Sequence, residues 1–142
     1  GPGAANIAMI EPKDQHWYQP MWTMIGGGLG YKKENSMRPM SSVVPKGVNL
    51  IQDAVATFNP SGNSITLKNG STLTYDYMVV CAGLKVDWHK IEGLQEAIAD
   101  QACPVSSIYD YNTAEKVSQV MGKVKEGTML FTQPACPIKC GG

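Results

Sequence analysis

Ser64-Ile65-Thr66-Leu67-Lys68-Asn69-Gly70-Ser71-Thr72-Leu73-Thr74-Tyr75 leads directly into Asp76-Tyr77-Met78-Val79-Val80-Cys81-Ala82-Gly83. The first stretch alternates apolar and polar residues on either side of Asn69-Gly70, a dipeptide that suits tight turns with left-handed backbone. It predicts a β-hairpin over 64–75 closed by a type I′ turn. Tyr77 to Cys81 is continuously apolar, the pattern of a strand buried on both faces of a parallel sheet. Strands of this kind, together with helices and one inserted hairpin, predict an α/β fold with a mostly parallel sheet.

Ile7-Ala8-Met9-Ile10 reads as another such strand, stopped at Glu11-Pro12 because proline cannot donate to a ladder. Residues 17–25 are rich in aromatic residues and methionine and predict a loop entering a short helix, broken by Gly26-Gly27-Gly28-Leu29-Gly30. Lys32 to Arg38 reads as a polar loop, and Met40 to Val44 as one helical turn before Pro45. Val48-Asn49-Leu50-Ile51 predicts a strand running on through Ala54-Val55-Ala56. Asn112 to Lys125 has the spacing of an amphipathic helix, with Ala114, Val117, Val120, Met121 and Val124 on one face. Asn112 suits the N-cap, Glu115 the capping-box position and Gly127 the stop. Thr128-Met129-Leu130-Phe131-Thr132 reads as a further buried strand.

Composition narrows the function classes. The 142 residues are 43% hydrophobic and 17% charged, as in an ordinary globular chain. Twelve basic residues balance twelve acidic ones, so no basic stripe supports a nucleic-acid partner. No apolar run approaches the ~20 residues of a membrane span, and the first residues have no signal or transit pattern. Four cysteines, at 81, 103, 136 and 140, are sparse for a disulfide scaffold and read as reduced thiols. The opening almost directly into a strand, and the close on Cys140-Gly141-Gly142, read as a piece of a longer protein.

Glu11 is the first candidate for chemistry. An acid at the end of the second strand of a Rossmann unit accepts hydrogen bonds from adenosine ribose hydroxyls, each charged bond contributing about 1.5–3 kcal/mol. A solvated surface glutamate is the plainer alternative. The glycine run 26–30 does not read as a phosphate loop, because Tyr31 stands where a third glycine is needed and no buried strand precedes it. It reads instead as a place where backbone passes close to another element. Cys140 follows a strand and a loop, and a helix opening at Gly141-Gly142, with Lys139 beside it, favours the thiolate. Cys136-x3-Cys140 without further ligands is poor metal spacing, so no metal is expected. Cys81 reads as an inert buried thiol, Cys103 has no visible partner, and His16 and His89 are isolated. The aromatic stretch from Trp17 to Trp22 reads as core.

Taken together, Ile10-Glu11-Pro12, His16-Trp17-Tyr18-Gln19-Pro20-Met21-Trp22-Thr23, Arg38-Pro39, Val80-Cys81-Ala82-Gly83 and Lys139-Cys140-Gly141-Gly142 resemble the mitochondrial type of sulfide:quinone oxidoreductase. The resemblance runs in order along essentially the whole chain. It implies two Rossmann-like domains, with residues 1–111 a partial FAD-binding domain carrying the inserted hairpin and residues 112–142 the start of the second. It implies an enzyme that oxidises sulfide through cysteine persulfides, hands the sulfur to an acceptor, reduces FAD and passes electrons to ubiquinone at the inner mitochondrial membrane. Glu11 resembles the ribose-binding acid, Gln19 a residue contacting FAD and Val55 the position whose backbone meets the adenine. Ala82-Gly83 resembles the turn close to FAD, and Cys140 the first of two redox-active cysteines.

The departures are equally specific. The family's glycine fingerprint belongs before Gly1, while its second redox cysteine, quinone pocket and membrane-associating region belong after Gly142. Cys81 stands where alanine or threonine is common, Cys136 is an addition, and no cysteine lies near Ser107-Ile108-Tyr109. A related FAD-dependent NADH:quinone reductase and a non-catalytic truncated module remain as alternatives.

Overall fold

The computed structural model describes residues 6–133. Strands β1 (Ala8–Ile10) and β4 (Asn49–Ile51) pair in parallel, with Ala8 opposite Asn49 and Ile10 opposite Ile51. Parallel neighbours need a long crossover, and residues 11–48 supply it with a small subdomain of their own. There β2 (Gln15–Trp17) pairs antiparallel with β3 (Met37–Pro39). Helix α1 (Pro20–Gly26), a 3₁₀ turn over Lys33–Ser36 and the single turn α2 (Met40–Val43) complete it. Proline at the first position of α1 is favourable, since its missing N–H would have no helical partner there.

A three-stranded antiparallel sheet follows, built from β5 (Val55–Asn59), β6 (Ser64–Leu67) and β7 (Thr72–Thr74) in that order. Ile65 and Leu67, alternate residues of β6, are buried on one face. Two helices lie beyond it, α3 (Leu94–Ala99) and α4 (Ala114–Lys123). The core is divided. One part is the underside of β6; another is the seam where α4 packs on α1, with Ile25 and Ala114 buried. At that seam a Cβ on Gly26 would sit 2.5 Å from the Ile108 Cγ2 methyl and 3.4 Å from the Ala114 carbonyl oxygen. The close-approach reading of the glycine run therefore holds at Gly26.

The hairpin over 64–75 forms as expected, with Ile65 opposite Leu73, but its turn differs. Gly70 N donates to Leu67 O at 3.0 Å, and Leu67 N to Ser71 O at 2.8 Å. Gly70 has φ +89° while Asn69 stays at negative φ. That is a three-residue loop in which Lys68 and Asn69 occupy the turn and Gly70 the left-handed bulge. The Asn69 side chain accepts from Ser71 N at 2.8 Å, which suits a right-handed asparagine.

Four other expectations are corrected. The strand over 48–56 is two strands, because Ile51 O accepts from Asp53 N at 2.9 Å and the chain turns there onto a different sheet. Parallel pairing is confined, among the described residues, to β1 and β4. The polar stretch 32–38 holds a 3₁₀ turn and a strand, because Tyr18 N donates to Ser36 O and draws the segment into the β2–β3 ladder. Helix α4 starts one residue late, with Thr113 at its N-cap. The Thr113 hydroxyl donates to Ser107 O at 2.7 Å and caps nothing, and Glu115 accepts from Lys33 N at 2.9 Å.

Tyr77–Cys81 and Thr128–Thr132 are not strands here. Val79 is 85% and Leu130 83% exposed, and the Cys81 thiol is exposed too. Both runs have the composition of central parallel strands, which form only where a neighbour supplies the ladder, and no described segment does so.

Candidate functional site

The two parallel strands end side by side; Glu11 follows the carboxyl end of β1, and the end of β4 leads through a turn to Val55 on β5. Open α/β sheets bind ligands at that end. The Ile51 carbonyl oxygen takes both Glu11 N at 3.1 Å and Asp53 N at 2.9 Å. One acceptor thus ties the exit of β1 to the turn that leads into Val55. Glu11 is half-buried, and its Oε1 accepts from Lys13 N at 2.9 Å. A carboxylate has about four acceptor sites, and this bond uses one, so the group retains capacity for hydroxyl donors.

Val55 opens β5, half-buried and opposite Leu67. Asp53 fixes the approach to it. Its Oδ1 accepts from Ala54 N at 2.7 Å and its Oδ2 from Asn69 N at 3.2 Å, so the hairpin turn is latched to the end of the parallel pair. Sequence reasoning passed over Asp53; an aspartate two residues before a strand can make such bonds, but the partner 16 residues away is set only by the fold.

Gln19 is the N-cap residue of α1, half-buried, its carbonyl accepting from Trp22 N at 2.9 Å. The core reading of the aromatic stretch holds only in part, since Trp17 and Trp22 are half-buried and Tyr18 is exposed: Trp22 Nε1 donates to Ser36 Oγ at 3.1 Å, and Trp17 packs against Tyr111 with centroids 6.0 Å apart. Ala82 and Gly83 are exposed and lie outside any ladder, with Gly83 at φ +74°. The structure therefore gathers Glu11 and the segment leading to Val55 at one edge. It does not draw Ala82-Gly83 to them by any described hydrogen bond. Cys140, with Cys136 and Lys139, lies outside the described residues.

Among the described residues no group of three or more His, Cys, Asp or Glu side chains could hold a metal ion, and no helix is long and apolar enough to cross a membrane. A shallow surface depression lined by Gly62, Asn63, Thr74, Tyr75 and Asp76 includes none of the expected site residues.

A short parallel pair with an acid at its exit, a helical crossover and an antiparallel insertion define a Rossmann-like α/β unit. No family model matches the chain. Proteins named mitochondrial sulfide:quinone oxidoreductase do. The one from Mus musculus is 41% identical over 140 residues, 99% of this chain and 30% of that protein. Those of Dictyostelium discoideum and Schizosaccharomyces pombe are each 36% identical, over 96% of this chain and 30% of theirs. The resemblance read from the sequence is borne out along nearly the whole chain, which spans about 30% of the length of these relatives. Among solved structures, the sulfide:quinone oxidoreductase of Aquifex aeolicus superposes with TM-score 0.62 at 22% identity, over 83% of this chain and 26% of that one. A chain in the mitochondrial ATP synthase of Tetrahymena thermophila gives TM-score 0.64 at 18% identity, over 83% of this chain and 29% of its own. At such identities the likeness concerns fold alone.

Proposed function

We propose that this chain supplies the adenosine-facing part of the FAD site, and the first redox cysteine, of a sulfide:quinone oxidoreductase at the inner mitochondrial membrane. The observation that carries the reading is the match to three proteins of that name over at least 96% of the chain. The residues in hand fit the cofactor's adenosine end. Glu11 leaves a parallel strand at its carboxyl end with acceptor sites in reserve, which is what ribose hydroxyls require. By the resemblance, Val55 would present backbone to the adenine, Gln19 would contact the cofactor, and Ala82-Gly83 would form the turn nearest it. FAD, when bound, supplies the two-electron acceptor. Cys140 would be one of two redox-active cysteines whose disulfide is the oxidant. Sulfide attacks it, leaving a persulfide on one sulfur and a thiolate on the other. The sulfur acceptor takes the outer sulfur, and the cysteine pair closes again by giving two electrons to the acceptor that FAD supplies. A sulfur acceptor and ubiquinone are the other reactants. The division at residues 111 and 112 belongs to the same proposal, with α4 packed on α1 across it.

The test uses a protein carrying this chain within the full length of its relatives. Cys140→Ser is expected to abolish sulfide-dependent quinone reduction while FAD stays bound. Turnover at the wild-type rate in that variant contradicts the assignment.

A further inference from the structure

We propose that Lys13 is a positioning residue for the Glu11 carboxylate, held in place by the Trp17 ring; the inference rests on Glu11 binding the cofactor's ribose. The loop Glu11-Pro12-Lys13-Asp14 joins β1 to β2 and is anchored at both ends. Glu11 N donates to Ile51 O at 3.1 Å, and Asp14 O accepts from Met40 N at 2.7 Å. Between those anchors Pro12 has no N–H, so Lys13 N is the first amide within the loop able to orient the carboxylate, and it does so at 2.9 Å.

The Lys13 ammonium goes elsewhere. With Glu11 and Asp14 close by in sequence it makes no ion pair among the described residues, and sits 5.0 Å from the centroid of the Trp17 ring. This division of labour matters for binding. An ammonium paired with Glu11 would occupy the lone pairs that ribose hydroxyls need, whereas one parked on an indole face leaves them available and still pins the loop. Indole is the strongest of the three aromatic partners for a cation.

Trp17 is itself well fixed. It pairs with Met37 across the β2–β3 ladder and packs at 59° on Tyr111, and the Lys33 ammonium sits 5.1 Å from the Tyr111 centroid. Cation, ring, ring and cation are in contact in that order. The Trp17 Nε1–H is buried and has no hydrogen-bond partner among the described residues.

The experiment measures FAD affinity in a protein of full family length, by titrating flavin-depleted samples of Lys13→Gln, Lys13→Arg, Glu11→Gln and the double variant Lys13→Gln/Glu11→Gln. Lys13→Gln is expected to weaken binding about two- to fivefold, the scale of one exposed cation–π contact. Lys13→Arg, which keeps the cation on the ring, is expected to restore it. Glu11→Gln is expected to weaken binding about tenfold or more. In the Glu11→Gln background the Lys13 change is expected to have no further effect, a coupling that a merely structural lysine would not show. An equal Lys13 effect in both backgrounds, or no Lys13 effect where Glu11→Gln has one, overturns the inference. Unchanged affinity in Glu11→Gln instead overturns the ribose reading beneath it.

Discussion

Two residues at the seam between helices show how far a single side chain governs the packing. At Gly26 the missing Cβ is the space into which Ile108 Cγ2 projects, and a β-branched side chain cannot swing aside cheaply. Alanine would gain up to about 1 kcal/mol of helix propensity, while overpacking costs about 1–3 kcal/mol. Gly26→Ala is therefore expected to lower the melting temperature, and Gly26→Ala/Ile108→Ala to differ from Ile108→Ala by less than Gly26→Ala differs from wild type. Lys116 is the second case. It is 5% exposed, and its ammonium donates to the carbonyls of Ala97, Ile98 and Asp100, closing the carboxyl end of α3. Three donors meet two carbonyls at the helix end that lack a helical partner and a third, Asp100 O, that also accepts from Cys103 N at 3.3 Å. Lys116→Met is expected to destabilise the protein by about 2 kcal/mol, with hydrogen exchange accelerating at 94–99 before it does in β6. Gly26 was legible in part: the glycine run reads as backbone passing close to another element, but as a loop that breaks the helix, whereas Gly26 is the last residue of α1. Lys116 was not, because a lysine on a helix reads as solvated until a neighbouring helix end is known to lie over it.

The elements follow the same division between local and distant causes. The hairpin over 64–75 was legible because alternation and Asn69-Gly70 are local signals, although the turn places glycine in the bulge. The break at Gln52–Ala54 was not, because it depends on Ile51 O being shared between two partners. Helix α3 carries too short a pattern to be seen. The runs 77–81 and 128–132 show the limit most clearly, since apolar sequence specifies a strand only when a neighbour completes its ladder. Near them, the 3₁₀ turn over Trp88–Lys90 is closed by an ion pair, Lys90 Nζ to Asp87 Oδ2 at 2.7 Å. The Lys90 hydrogen bond holds the Asp87 carboxyl below its ordinary range, and the same bond raises Lys90. The Asp87 contribution is therefore present above its unfolded pKa and lost as pH falls through the lower folded one. The Lys90 contribution is present below its unfolded pKa and lost as pH rises through the higher folded one. Lys90 is exposed and Asp87 partly so, and salt therefore screens the pair. A carboxyl titration by NMR is expected to show the Asp87 midpoint rising toward its ordinary value in Lys90→Met, and rising similarly in high salt. An unmoved midpoint in both contradicts the pairing.

At the scale of the molecule, the described residues form two small cores and one edge where Glu11 and the approach to Val55 meet. The α/β character and the acid at the strand exit were legible, because both rest on short patterns in the chain. The latch from Asp53 to the hairpin and the contacts running from Lys13 to Lys33 were not, since each joins residues that only the fold brings together. The central claim is that these residues serve sulfide oxidation on FAD. Its most direct test is the visible absorption spectrum of a purified protein of full family length, recorded before and after anaerobic addition of sulfide. The account predicts a bound flavin whose oxidised bands bleach with sulfide. A colourless protein, or a flavin that NADH bleaches and sulfide leaves untouched, would contradict it.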